Sequence, residues 1–293
     1  MTLTLTVLQI VAPVFFLAAV GFAWVRLGFA YDTAFVTRLA MTLGIPALIF
    51  VALARGTIDP QAAGQLSLAA LAAYLAVIAV TWALCRLLGL NLRTFWAPLV
   101  FGNTGNLGLP LALFAFGEEG LGYAVVVFSA GVILQFTVGL WIVAGGGSPG
   151  KALREPMVAA TVLGGLFLWQ GWTVPPVIFA TLELIGQMGI PLMLLTLGVA
   201  VARLRPAGLV PMAALAAVKM VLCTALAVAV GLAFGLEGVP LGVLTLQLAT
   251  PVAVTSYLLA LKYGAEAEPV AALVVVSTLL AVPALPVILA FFV

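Results

Sequence analysis

Apolar residues fill this chain in long blocks, and the polar positions between them come in short groups at regular intervals. Ten blocks are visible, at about 5–25, 34–54, 64–88, 95–116, 120–143, 156–172, 175–201, 208–235, 239–261 and 268–292. A helix needs roughly 17–25 apolar residues to cross a hydrocarbon core about 30 Å thick. Every block reaches that length or slightly exceeds it, so the pattern predicts ten membrane-spanning helices, here called segments one to ten. Turn signals mark the joints: Arg55-Gly-Thr57, Gly89-Leu-Asn91, Gly117-Glu-Glu-Gly120, Gly171-Trp-Thr173 and Gly235-Leu-Glu-Gly238. Gly145-Gly-Gly-Ser-Pro-Gly150 is the one flexible linker, and it divides the chain nearly in half. The first block has no basic leader and no Ala-x-Ala site ahead of a polar sequence. It is therefore expected to remain a membrane helix rather than to be a signal peptide.

Two stretches break the pattern from inside a block. In segment four, Phe101-Gly-Asn-Thr-Gly-Asn-Leu-Gly-Leu-Pro110 packs two asparagines, three glycines (besides other small residues) and a proline into an apolar run. Pro110 donates no helical hydrogen bond and costs the Asn106 carbonyl its partner. Gly102, Gly105 and Gly108 lower the cost of non-helical backbone. In lipid, such backbone is tolerated only against protein or a water-filled cavity. In segment nine, Gln247-Leu-Ala-Thr-Pro251-Val-Ala-Val-Thr-Ser256 does the same: Pro251 frees the Gln247 carbonyl, and Thr250-Pro251 has the form of an N-cap followed by proline at the first helical position. Both stretches predict broken helices.

The two breaks are related by a repeat. A shift of 145 residues carries Ile45-Pro46 onto Ile190-Pro191 and Gly105-Asn106 onto Thr250-Pro251. With a drift to 147 or 148, Phe116-Gly117 meets Tyr263-Gly264, and Val125-Val-Val-Phe-Ser129 meets Leu273-Val-Val-Val-Ser277. Each half holds five segments. An odd number of crossings reverses the second half, which predicts two inverted five-helix repeats, residues 1–144 and 155–293, joined by a cytoplasmic linker at 145–154. Carriers of this build bind substrate near the midplane, at paired broken helices.

Composition narrows the class. Hydrophobic residues make up 65% of the chain and charged residues 7%, against about 25% in a soluble domain. This is the signature of an all-α polytopic membrane protein. There is no histidine, and the two cysteines, Cys85 and Cys223, lie inside apolar blocks. Histidine triads, imidazole metal sites and a disulfide framework are excluded. Nothing suggests a cofactor, a nucleic-acid partner or an enzyme. Nine of the eleven basic residues lie in or beside joints after odd-numbered segments: Arg26, Arg38, Arg86, Arg93, Lys151, Arg154, Arg203, Arg205 and Lys262. Basic joints stay in the cytoplasm. Both termini are thus expected outside, in a multi-pass protein of the plasma membrane (the inner membrane of a bacterium).

Three motifs in order carry a resemblance: Asn103-x-Gly-Asn106-x-Gly-Leu-Pro110, Ile190-Pro-Leu-Met-Leu-Leu-x-Leu-Gly198 and Thr250-Pro-Val-Ala253. The chain resembles the auxin efflux carrier family, the bacterial relatives of plant PIN proteins, over essentially its whole length. The resemblance implies the fold shared with sodium/proton antiporters and bile-acid symporters. Segments 3–5 and 8–10 would form a core transport domain. Segments 1, 2, 6 and 7 would form a scaffold, with a homodimer through the scaffold helices. It also implies secondary carriage of organic anions such as auxin, malate or malonate. Plant members carry Asn-Pro-Asn-Thr-Tyr at the first crossing, where this chain has Asn103-Thr-Gly-Asn106, and its central loop is minimal.

The polar residues at the breaks are the candidate substrate site: Asn103, Thr104, Asn106 and Pro110 at the first, Thr250, Pro251, Thr255 and Ser256 at the second. N–H groups near Leu109 and Val252 would form positive helix ends able to hold an anion without an arginine. Gln135 lies in the middle of segment five and resembles a substrate-contacting glutamine of plant members. The structural alternative for Asn103, Asn106 and Gln135 is interhelical hydrogen bonding. Ser129, Ser277 and Tyr257 are weaker candidates. No metal site is expected, although the oxygen groups near Asn103 and Thr250 could bind sodium as a coupling ion.

Three polar residues inside the spans suggest coupling or gating. Lys219 lies about 16 Å into segment eight and Glu183 about 12 Å into segment seven, counted at about 1.5 Å per residue. Charge at such depth is a functional hypothesis by default, and the depths allow a pair; the alternatives are a water-exposed outer vestibule for Glu183 and a structural ammonium bonded to core backbone carbonyls for Lys219. Gln187 precedes the Ile190-Pro191 kink as a cavity wall. Arg55, Asp59, Glu118 and Glu119 are expected to be interfacial and solvated.

The leading functional expectation is a secondary active or facilitative transporter of a small carboxylate by elevator-type alternating access, coupled to protons or sodium or to neither. The alternative is a sodium or other cation/proton exchanger on the same fold, which the absence of an acid at either break weakens.

Overall fold

The computed structural model of the chain describes residues 3–144, 156–204 and 208–293. The expected linker, with Lys151 and Arg154, lies outside the described residues, as does Arg205. Among the described residues, regular structure is helical, and the only β-type pairing is an isolated antiparallel contact between Gly102 and Val252. The helices are α1 (Leu3–Arg26), α2 (Thr33–Leu39), α3 (Ile45–Ala54), α4 (Pro60–Leu87), α5 (Leu92–Val100), α6 (Leu109–Leu134), α7 (Leu140–Ala144), α8 (Pro156–Gln170), α9 (Pro176–Gln187), α10 (Gly189–Arg203), α11 (Leu209–Ala233), α12 (Gly238–Ala249), α13 (Val254–Lys262) and α14 (Ala267–Leu289). Short π-helical stretches at Ala40–Gly44, Thr104–Gly108 and Gln135–Gly139 join α2 to α3, lead into α6, and join α6 to α7.

Among the described residues, six helical runs are long and apolar enough to cross a membrane: Thr33–Ala54, Pro60–Leu87, Thr104–Val143, Pro176–Arg203, Leu209–Ala233 and Ala267–Leu289. Ala12–Arg26, Pro156–Gln170 and Gly238–Ala249 are shorter apolar helices. The expectation of an all-α polytopic membrane protein therefore holds. The run Thr104–Val143 is not straight: Gly117 has φ 66° and ψ −157°, a conformation open to glycine, and the chain turns there.

Helix starts follow from local chemistry. Asp59 accepts from Ala62 N at 2.8 Å ahead of Pro60, and Asp32 accepts from Phe35 N at 3.0 Å. Each cap stabilises its helix by about 1 kcal/mol. Pro110 stands in the first turn of α6, where its missing N–H is not needed.

The main helix contacts fall into two neighbourhoods, bridged by α6, which also meets α1, α3 and α8. The helix α1 lies on α10, and α3 lies on α8 and α9. Separately, α4 packs on α5, α6 and α11, while α11 also packs on α12 and α14, α12 on α6, and α13 on α14. Small residues permit the close contacts. A Cβ at Gly44 would stand 3.1 Å from Gly189 Cα, so the bends before α3 and α10 meet backbone to backbone.

The actual interruptions are Phe101–Asn103, between α5 and the π-helical stretch, and Thr250–Ala253, between α12 and α13. They cross as a two-residue antiparallel contact. Asn103 N donates to Pro251 O at 2.6 Å and Ala253 N donates to Phe101 O at 3.3 Å. Val252 N donates to Ser277 Oγ at 3.0 Å. Thr250 Oγ1 donates to Gln247 O at 2.6 Å, taking up the carbonyl that Pro251 frees. These backbone groups are thus satisfied by the other break or by a neighbouring side chain, as burial requires. One expectation is corrected here. Thr250 is not an N-cap but the C-cap of α12, and α13 starts after Ala253, because the chain stays extended for four residues to make the crossing.

Candidate functional site

Against this crossing lies a cavity of about 220 Å³. The first break contributes Gly102, Asn103, Thr104, Gly105 and Asn106, and the second contributes Ala253 and Thr255. Gln135 reaches in from the π-helical stretch after α6 and donates through Nε2 to Thr255 Oγ1 at 3.0 Å. Thr37, Met41, Phe128, Val132, Met157 and Met193 complete the wall. Thr104, Gly105 and Asn106 open a helical stretch, and the first N–H groups of a helix have no intrahelical acceptor. Asn103 is 5% exposed, and its Nδ2 has no hydrogen-bond partner among the described residues. A buried donor without an acceptor is costly unless a ligand supplies one. Among the described residues, no acidic side chain lines this cavity.

A second cavity, of about 270 Å³, adjoins the first: Thr37, Met41, Asn106, Met193 and Thr255 line both. It extends past Thr196 and Tyr257 to Arg203 at the end of α10. A separate cavity of about 230 Å³ is lined by Arg55, Glu118, Glu183, Gln187 and Pro191, among others.

The structure thus brings Asn103, Thr104, Asn106, Gln135 and Thr255 together. It does not bring the other expected residues to the cavity. Thr250 is fully buried inside the crossing, Pro251 presents its carbonyl to Asn103, Pro110 serves the start of α6, and Ser256 is buried with its hydroxyl unpartnered among the described residues. Ser277 holds Val252 N, and Ser129 donates to Val125 O and shares a hydrogen bond with Thr161 at 2.9 Å.

Glu183 and Lys219 do not pair. Glu183 lies on α9, against α3, and binds Arg55 Nη2 at 2.5 Å. Arg55 also stands 3.9 Å from Glu118 and lies over the Phe179 ring at 5.6 Å, so it is built into a cluster rather than left to solvent. Lys219 is 1% exposed and donates through Nζ to Thr250 O at 2.8 Å. Its helix packs on α4, α12 and α14, which turns it toward the crossing and away from α9. Similar expected depths carry no information about which helices are neighbours.

Sequence reasoning missed Thr37, Met41, Phe128 and Met193. Each sits in an ordinary apolar run, where a cavity wall and a packed core have the same pattern. Arg203 entered only as an orientation signal.

Polar groups converging at interrupted helices inside an apolar bundle define a membrane transporter. The chain belongs to the family described as "Membrane transport protein", the auxin efflux carrier family, whose model matches residues 6–153 and 146–289. It is similar to an uncharacterized transporter of Methanothermobacter thermautotrophicus, 26% identical over 271 residues that cover 87% of each chain. It is also similar to an uncharacterized transporter of Methanocaldococcus jannaschii, 30% identical over 108 residues, covering 34% of this chain and 35% of that one.

Lys219→Met tests the tie behind the crossing. Burying an ammonium costs several kcal/mol, and leaving the Thr250 carbonyl unpaired costs about 1–3 kcal/mol. The two terms oppose each other. The variant is therefore expected to keep its melting temperature within a few degrees while losing most of its transport. A thermal melt beside a flux assay checks both, and unchanged flux would show that the tie is dispensable.

Proposed function

We propose that this chain carries a small organic anion, a carboxylate, bound at the crossing of the two broken helices. The observation that carries the reading is the convergence of Asn103, Asn106, Gln135 and Thr255 with the start of a π-helical stretch on one cavity lined by no acidic side chain among the described residues. Amide donors and free N–H groups suit carboxylate oxygens. A cation exchanger would want a carboxylate at the same place.

The broken pieces, counted with the long helices, make ten crossings in two inverted repeats. Gly44 and Gly189, which face each other, are 145 residues apart, the same shift that relates the sequence motifs, and this supports a pseudo-two-fold axis through that contact. The α1, α3, α8, α9 and α10 neighbourhood serves as scaffold, and the helices around the crossing move against it. The two adjoining cavities open toward the Arg203 end, which the distribution of basic residues assigns to the cytoplasm. The Arg55 cluster then closes the outer side.

Solid-supported membrane electrophysiology on reconstituted protein tests the reading, with mono- and dicarboxylates and indole-3-acetate applied with and without pH and sodium gradients. Wild type is expected to give carboxylate-evoked currents. Asn106→Ala removes a group that lines both cavities. It is expected to reduce them about tenfold, the effect of losing one hydrogen bond to a charged group. Currents on sodium or pH jumps alone, with none on carboxylates, would favour the exchanger.

A further inference from the structure

We propose that Arg203 is a capture site for the carboxylate at the mouth of the cavity, from which Asn106 receives it; this rests on the anion-carrier reading above. Among the described residues, Arg203 is the only charged side chain lining either of the two adjoining cavities. It is exposed, and it is held in a fixed pose. Its Nη1 donates to Thr33 Oγ1 at 2.6 Å and its Nη2 to Tyr31 O at 2.7 Å. Tyr31 Oη is itself anchored, 2.8 Å from Thr196 Oγ1. These bonds use two of the five N–H donors of a guanidinium.

The remaining donors have no carboxylate among the described residues. No acidic side chain forms a salt bridge with Arg203 among the described residues, and Asp32, its nearest acid in sequence to these contacts, turns its carboxylate to Phe35 N at 3.0 Å. Thr37, Thr196 and Tyr257 line the same cavity as hydroxyl-bearing residues, beside apolar Met41, Ala200, Leu204 and Leu258. A cation in a cleft with apolar walls focuses its field and concentrates anions. Asn106 lines both this cavity and the one at the crossing. An anion held by Arg203 is thus one step from the amides that bind it at the break. The other requirement of a capture site, that it not hold its ligand too well, is met because the guanidinium is exposed and shares its charge with two neutral acceptors.

Two measurements test this, one independent of any substrate. Thr37 lines both cavities, whereas the native Cys85 and Cys223 are buried. In the full chain carrying Thr37→Cys, the rate of modification by anionic sulfonatoethyl methanethiosulfonate is compared with that by its cationic trimethylammonioethyl analogue. Arg203→Gln is expected to lower the anion-to-cation rate ratio about tenfold, the low end of electrostatic focusing in a cleft, while Arg203→Lys keeps most of it. A ratio unchanged in Arg203→Gln overturns the proposal whatever the transport assay gives. The second measurement uses the carboxylate with the largest wild-type current. Arg203→Gln should raise its half-saturating concentration about tenfold with the maximal current retained. Loss of maximal current at unchanged half-saturation would also overturn capture. Silence of wild type across the carboxylate panel counts against the carrier reading, and the thiol ratio still decides the field of Arg203.

Discussion

Gly102→Ala is expected to silence transport. Gly102 is the point where the two broken helices touch, and a Cβ there would stand 3.1 Å from Thr250 O and inside the contact distance of Thr250 Oγ1. Thr250 has nowhere to go. Its hydroxyl is committed to Gln247 O and its carbonyl to Lys219 Nζ. The added methyl must therefore separate the breaks, stretching the bonds from Asn103 N to Pro251 O and from Ala253 N to Phe101 O. Each backbone group left unpaired in a buried site costs about 1–3 kcal/mol. The cavity lies against this contact, so a shift of the strands also misplaces Asn103, Asn106 and Thr255. The expected result is a loss of flux of at least about a hundredfold, equivalent to about 3 kcal/mol. Flux near wild type in reconstituted Gly102→Ala would mean that the crossing adapts without harm to function.

The second large effect lies far from the cavity. Gly198→Ala should destabilise the fold by about 1–3 kcal/mol, the usual cost of overpacking a close contact. A Cβ at Gly198 would come within 2.7 Å of both Ala18 C and Phe22 N, and closer still to Ala18 O. These are backbone atoms of α1 and cannot swing aside as a side chain end does. Gly21 makes the reciprocal close approach to the Leu195 carbonyl. Membrane helices rely on such small residues for contact, because lipid tails offer little hydrophobic drive for association. Gly165→Ala supplies the control: it is mid-helix in α8 with nothing within 4 Å of its Cβ. Alanine is favoured over glycine in a helix by about 1 kcal/mol, so this variant should melt at or above wild type. Melting curves in detergent that moved both variants alike would refute the contact argument.

Much of the candidate site was legible in the sequence, for a specific physical reason. A membrane helix rejects asparagine, clustered glycine and proline unless something compensates them. Asn103, Thr104, Asn106 and Thr255 therefore stood out against their apolar blocks, and Gln135 stood out in the middle of another. The same logic failed at Thr250, Pro251 and Ser256. Polar and helix-breaking residues are also needed to build a crossing, and composition does not say which side of the break faces the ligand. Lys219 is a further case. Bonding of its ammonium to core backbone carbonyls was one of its two readings, and Thr250 O is such a group, but a carbonyl is present at every residue, so the sequence does not say which one it meets. Arg55 looked like an ordinary interfacial cation, although its guanidinium is held by Glu183 on another helix.

The sequence by itself determined that the chain is a polytopic helical membrane protein, where its helices are interrupted, and the family to which it belongs. These follow from hydropathy, backbone chemistry and local motif, which act along the chain. Only the tertiary structure decided which helices are neighbours. It put α1 on α10, turned Lys219 to the crossing, joined Arg55 to Glu183, and set the cavity at Asn103 beside a second one that reaches Arg203. In lipid the apolar faces of different helices are nearly equivalent, so the choice among them rests on shape and on buried polar contacts. Those depend on three-dimensional fit between residues far apart in the chain, 31 positions for Lys219 and Thr250 and 128 for Arg55 and Glu183, and a one-dimensional pattern does not contain it.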